Sequence, residues 1–149
     1  MSDDHEFDRV ALRARLAEIG RKLAGREAEH ADGLAAARRA AERLHALVRE
    51  GLSGFHEGVK EGGAEHLDVA LSEPRPDDKH LRSVQFDLRR GRHTAIITVK
   101  SRGEVTLVGP FRSGKTEGPC LSFPFGAEAE LEAGLLEFLA RFLEEAATP

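Results

Sequence analysis

Gly109-Pro110-Phe111-Arg112-Ser113-Gly114-Lys115-Thr116 is the stretch of this 149-residue chain whose residue types and spacing look most like a site. It satisfies G-x-x-x-x-G-K-[ST] and follows directly on an apolar run ending at Val108. In a working phosphate loop, backbone N–H groups at a helix N-terminus cradle phosphates, the lysine meets the terminal ones and the hydroxyl holds Mg²⁺. The surroundings do not supply that arrangement. Gly118-Pro119 falls within one turn of where the helix would begin. A proline there removes a donor and clashes with the preceding turn, at a cost of about 3 kcal/mol or more. It also biases Gly118 away from helical dihedrals. Only 30 residues follow Pro119, enough for one helix and not for further parallel strands. Nucleotide hydrolysis is therefore disfavoured. Arg112, Ser113 and Lys115, with nearby backbone donors, remain a candidate anion- or partner-binding flap within residues 109–119. The plainer alternative is an exposed connection punctuated by glycine and proline.

The other chemistry-bearing residues form weaker constellations. Arg89-Arg90-Gly91-Arg92-His93 gathers cations at a hairpin tip, with Lys100 and Arg102 at the far end of the next strand. Basic β-ribbons can touch phosphate. This chain, however, is net acidic and has no Trp or Tyr for base stacking, so nucleic acid is not the expected partner. His56-Glu57 and Glu65-His66 have the residue types of metal ligands but not the fixed i,i+4 spacing of a zinc helix, and no metal ligand is assigned. Cys120 has no base beside it in sequence, and a lone cysteine usually serves packing. No nucleophile–base pair can be assembled, so no catalytic residue and no cofactor is assigned.

Composition narrows the classes further. The formal charge is -4, apolar residues make up 40% and charged residues 32%. One cysteine cannot close an internal disulfide, which removes the secreted disulfide scaffolds. The apolar runs are far shorter than the ~20 residues that a bilayer requires. The opening Met1-Ser2-Asp3-Asp4-His5-Glu6 lacks the basic, then apolar, signature of a signal peptide. A cytoplasmic protein is the expectation.

The elements that must position these residues follow from apolar period and charge. Residues 1–63 hold 11 basic and 12 acidic side chains, residues 64–119 hold 10 and 8, and residues 120–149 hold 1 and 6. From about Asp4 to Glu50 the chain reads as helix, rich in Ala, Leu, Arg and Glu and free of proline. Its apolar stripe runs through Leu12, Leu16, Ile19 and Leu23 and resumes at Leu34, Ala37, Ala41, Leu44 and Val48. Two forms fit: one continuous helix, which is favoured, or an antiparallel pair turning at Asp32-Gly33. Five glycines between Gly51 and Gly63 then predict a loop or hinge over 51–65. Alternating apolar residues at 67–71, 84–88, 95–99 and 105–107 predict strands. Their short connections at Arg90-Gly91 and Arg102-Gly103 force antiparallel neighbours, with residues 120–123 a possible fifth strand. Residues 127–146 predict an amphipathic helix with Leu131, Leu135, Phe138, Leu139, Phe142 and Leu143 on one stripe.

The expected architecture is α+β: a helical segment over 1–50, a glycine hinge over 51–65, and a domain over 66–149. That domain is an antiparallel meander of four or five strands covered by a C-terminal helix. A rod with an exposed leucine row needs a partner. The expected function is thus a non-enzymatic interaction or adaptor module forming a homodimer through Leu12, Leu16, Ile19, Leu23, Leu34, Ala41, Leu44 and Val48, with another protein as a further possible partner. The alternative is a small-ligand or anion-binding domain, possibly enzymatic, built on the 109–119 loop.

Overall fold

Asp8 opens the first helix. Its carboxylate accepts from the backbone N–H groups of Val10 and Ala11 at 3.1 and 3.0 Å, satisfying two donors that the first turn leaves without partners. The computed structural model describes residues 7–77, 82–112 and 118–147, so the expected helix start at Asp4 lies outside the described residues. Helix α1 runs from Arg9 to Glu61, 53 residues without a break, or about 80 Å at ~1.5 Å per residue. Of the two forms the stripe allowed, the continuous one is observed. Gly33 is not a turn: it lies in the helix where α1 crosses the chain at Ser101, and a Cβ built there would come within 2.5 Å of the Ser101 carbonyl oxygen.

Residues 51–61 are helix, where the glycines predicted a loop. Each glycine costs an exposed helix about 1 kcal/mol relative to alanine. Val48 and Leu52 are buried in the same turns and Phe55 packs against the core. Full burial of one such side chain contributes about 1.5–3 kcal/mol, so packing outweighs propensity here. The helix ends at Gly62-Gly63. Gly63 takes the left-handed φ of 75°, the Ala64 N–H reaches the Val59 carbonyl at 2.7 Å, and the Gly63 N–H reaches that of Lys60 at 3.1 Å. That pairing is the Schellman closure that glycine favours.

Six strands follow: β1 (Ala70–Leu71), β2 (Arg75–Pro76), β3 (Ser83–Arg90), β4 (His93–Lys100), β5 (Glu104–Arg112) and β6 (Cys120–Pro124). All pairs are antiparallel, in the order β1-β3-β4-β5-β6, with β2 also on β3. The turn at Gly91 and the one at Gly103 both place glycine at positive φ. Strand β5 does not stop at Val108. It continues through Gly109-Pro110, shifting register against β4, so that Phe111 pairs Thr94 and Arg112 pairs His93. The expected 109–119 loop is shorter by those four residues.

The alternation of side chains gives the sheet two unlike faces. Val84, Phe86 and Leu88, then Ala95, Ile97 and Val99, then Val105 and Leu107 are buried on one face. Gln85, Thr98, Thr106 and Ser122 line up across the other. Helix α2 (Glu128–Ala146) packs on β4, β5 and β6, placing Leu131, Leu135, Phe138 and Phe142 in the core. Gly134 gives it close approach, since a Cβ there would collide with the Phe123 ring. Helix α1 covers β3 and β4 with Ala37, Ala41, Leu44, Val48 and Leu52. Both helices lie on one face of the sheet. Among the described residues no helix is long and apolar enough to cross a membrane.

Candidate functional site

The apolar stripe of α1 divides where the sheet ends. Ala41, Leu44 and Val48 are buried in this chain's own core and Leu34 packs against it. These four were expected at a joint between two copies, and the expectation is corrected: the meander of the same molecule already covers them. It took the whole leucine row of the rod as exposed, and the sheet in fact covers the half after Gly33. The preceding half projects past the β4–β5 turn. Every residue from Phe7 to Glu29 is exposed, including Leu12, Leu16, Ile19 and Leu23, of which Leu16 is 56% accessible. Steps of three and four carry the stripe from Leu23 through His30 to Ala37, so the exposed and buried leucines share one face of the helix.

Charge makes the projecting half distinctive. Between Arg9 and Arg26 stand Arg9, Arg13, Arg15, Arg21, Lys22 and Arg26 against the single carboxylate Glu18. On a helix with 3.6 residues per turn, Arg9 and Arg13 flank one side of the leucine row, while Arg15, Lys22 and Arg26 flank the other. The sequence reading missed this because residues 1–63 sum to near neutrality; a window of eighteen residues reveals it. Helix α2 has the opposite balance. Glu128, Glu130, Glu132, Glu137, Glu144 and Glu145 stand against Arg141 alone.

Between α1 and α2 lies a groove of about 460 Å³. Ala40, Leu44, Leu47, Val105, Phe125 and Leu131 make its apolar lining, and Arg43, Glu50, Glu128 and Glu132 stand on its rim. Leu47 and Leu136 are among the most exposed large apolar side chains outside the projecting helix. Compared with protein-family models, curated proteins and solved structures, the chain matches none. Function must be argued from the geometry.

A second cluster ties α1 to the sheet edge. Arg49 Nη2 donates to His45 Nδ1 at 3.0 Å. A guanidinium cannot accept, so His45 carries its proton on Nε2, which donates to the Ser72 carbonyl at 3.0 Å. Ser72 Oγ accepts from the Asp87 N–H at 2.9 Å and from Arg75 at 3.0 Å, and the Asp87 carboxylate pairs with Arg75 and Arg89 at 3.0 and 3.3 Å. His45 thus meets the serine's carbonyl and not its hydroxyl, and both ring nitrogens are engaged. This is a fastening between helix and sheet, not a nucleophile and its base.

The remaining sequence candidates are dispersed. Arg112 is exposed at the end of β5, while Ser113 and Lys115 lie outside the described residues. Gly109 to Arg112 belong to β5, with Phe111 and Arg112 paired to β4, and after Pro119 the chain resumes as β6, not a helix. Within the cationic hairpin, Arg89 pairs with Asp87 and Arg90 donates to the His66 carbonyl at 3.0 Å. His56 Nε2 accepts from the Val69 N–H at 3.1 Å, fixing the turn after α1. Among the described residues no group of three or more His, Cys, Asp or Glu gathers as metal ligands do. Cys120 is exposed at the start of β6. Glu104, opposite Pro124 on that edge, has its carboxyl held below the usual glutamate range. The Ser122 hydroxyl is the main cause and Arg102 and Lys100 add to it, against a smaller opposing effect of desolvation.

Proposed function

We propose that this protein is a non-enzymatic interaction module that self-associates through the projecting half of α1. The observation that carries this is the exposed row Leu12, Leu16, Ile19 and Leu23 on a helix that has left its own domain. These side chains are 39–56% accessible, so covering each contributes about half of the ~1.5–3 kcal/mol of a fully exposed one, and a two-fold pairing covers the row in both copies. The row is one or two residues wide, the width of a helix–helix seam and narrower than the apolar face of a helix that lies in a lipid surface. Sedimentation velocity on the full chain over micromolar concentrations tests it. A dimer that Leu16→Glu weakens, with the circular dichroism melt of the folded domain retained, supports the reading. A chain that stays monomeric throughout that range refutes it.

A further inference from the structure

Resting on that reading, we infer that the surface receiving the projecting helix is the α1–α2 groove of a second copy, with the two α1 rods antiparallel. Three observations converge on it.

Polarity comes first. Gly33 lies against Ser101, and the Phe125 N–H bonds the Gly103 carbonyl at 2.9 Å just before α2 begins. The docked half of α1 and helix α2 therefore both begin at the β4–β5 turn, the end from which the rest of α1 projects. The projecting part, Arg9 to Asp32, is about 36 Å long and the 19-residue α2 about 28 Å, at ~1.5 Å per residue. One arm spans the other copy's groove. Two arms exchanged antiparallel make a closed, two-fold pairing in which the same surface is used twice.

Charge is second. Along residues 9–32 six cations stand against Glu18, Glu27, Glu29 and Asp32, so two arms laid against each other would bring together two surfaces of net positive charge. Like charges oppose association. The groove rim offers the complementary sign, with Glu50, Glu128 and Glu132 against Arg43.

Order along the helices is third. Stepping away from the β4–β5 turn, α2 presents Glu128 and Glu132 on the groove and then, on the same ridge, the exposed Leu136 and the half-buried Leu139 and Leu143. Stepping outward from the same turn, the antiparallel arm presents first Asp32, Glu29 and Glu27, over about the 8 Å by which it is longer than α2, then Arg26 and Lys22, then Ile19, Leu16 and Leu12. Beyond that first stretch, cations meet carboxylates and leucines meet leucines, with Ile19 opposite Leu136 and Leu16 opposite Leu139. On the α1 side of the groove, a Cβ added at Gly51 or Gly54 would touch nothing within 4 Å, leaving room for an incoming helix beside the exposed Leu47.

The test uses the full chain in a Cys120→Ser background. Ile19→Cys and Leu136→Cys proteins are mixed and oxidised, and association is measured by sedimentation at low and high salt. The expected results are a mixed 19–136 disulfide, at least tenfold weaker association for both Leu16→Glu and Leu136→Glu, and weakening by salt. Lys22→Glu weakens association as well, and Glu132→Lys in the partner copy restores it. Leu136 is 68% exposed, so its substitution leaves the fold in place. A dimer weakened by Leu16→Glu alone, with disulfides only between Ile19→Cys chains, overturns the groove and leaves self-association standing. A monomer at every concentration overturns both. A monomer that instead binds vesicles of phosphatidylserine through Leu16 also overturns both and reassigns the arm to a lipid surface.

Discussion

Two glycines of the same helix should respond to alanine with opposite signs. Gly54 faces open space, and a Cβ there has no neighbour within 4 Å. Gly54→Ala therefore gains the helix-propensity difference of about 1 kcal/mol and meets no obstruction. For a chain of this size that corresponds to a rise in Tm of about 3–5 °C. Gly33→Ala gains the same propensity, but its Cβ would sit 2.5 Å from the Ser101 carbonyl oxygen and 3.4 Å from the Ser101 carbonyl carbon. The obstacle is backbone, held in the β4–β5 turn by the Ser101 N–H bond to the Arg82 carbonyl at 2.7 Å. Either α1 lifts from the sheet or the turn moves. Such overpacking costs about 1–3 kcal/mol, giving a net loss of up to about 2 kcal/mol. Urea unfolding followed by far-ultraviolet circular dichroism, at concentrations low enough to keep the chain monomeric, measures both. Gly33→Ala stabilising as much as Gly54→Ala would refute the contact that marks where α1 leaves its domain. The arm would then not leave its domain at that point.

Two further outcomes follow from the polar contacts. His45→Ala removes the donor to the Ser72 carbonyl, the acceptor for Arg49 and the edge-on contact with Phe86 at 5.1 Å between ring centroids. A loss of about 2–4 kcal/mol is expected, combining a buried partner lost and a cavity opened; urea unfolding that shows less than about 1 kcal/mol would contradict the fastening role. Glu104 has a carboxyl pKa lowered in the folded state, so its contribution to stability is full above its unfolded value and declines as pH falls through the folded one. Ser122→Ala removes the principal cause and should flatten the loss of stability below about pH 4.3, the usual glutamate value. An unchanged acid limb in stability against pH would oppose it.

How much of this was legible beforehand depends on the scale of the physics involved. The strands at 84–88, 95–99 and 105–107 and the stripe of α2 follow from local alternation, and they are where the reading placed them. Residues 51–61 were not legible as helix. Propensity at Gly51, Gly54 and Gly58 points one way, and the burial of Leu52, which depends on a sheet formed later in the chain, points the other. Gly109-Pro110 looked like the end of a strand, yet β5 absorbs both residues by shifting register against β4. The division of the α1 stripe was beyond local reasoning altogether. Leu16 and Val48 share the same period and the same face, and only the position of the Ser101 turn decides which of them meets a sheet. The acidic balance of α2 was legible in composition, whereas the cationic stretch at residues 9–26 was averaged away in the window of residues 1–63.

A projecting helix of this composition has little to hold it on its own. Helix formation in water is marginal for segments shorter than about 12–15 residues, and much of the stability in proteins comes from packing one face. Residues 9–29 are exposed all round and include Gly20 and Gly25, each about 1 kcal/mol less favourable than alanine. What sustains the helix is its covalent continuity with the docked half, which supplies the costly nucleus, and the Asp8 cap at the far end. On one flank Arg15, Lys22 and Arg26 outnumber Glu18 and Glu29, and the surplus positive charge offsets part of that support. Placing carboxylates beside those cations and apolar surface beside Leu12, Leu16, Ile19 and Leu23 removes the penalty and supplies the missing packing in one step. The acidic, leucine-bearing flank of α2 has that combination. The same residues that leave the arm weakly supported alone would make it well supported in the groove of another copy, which couples the ordering of the arm to association.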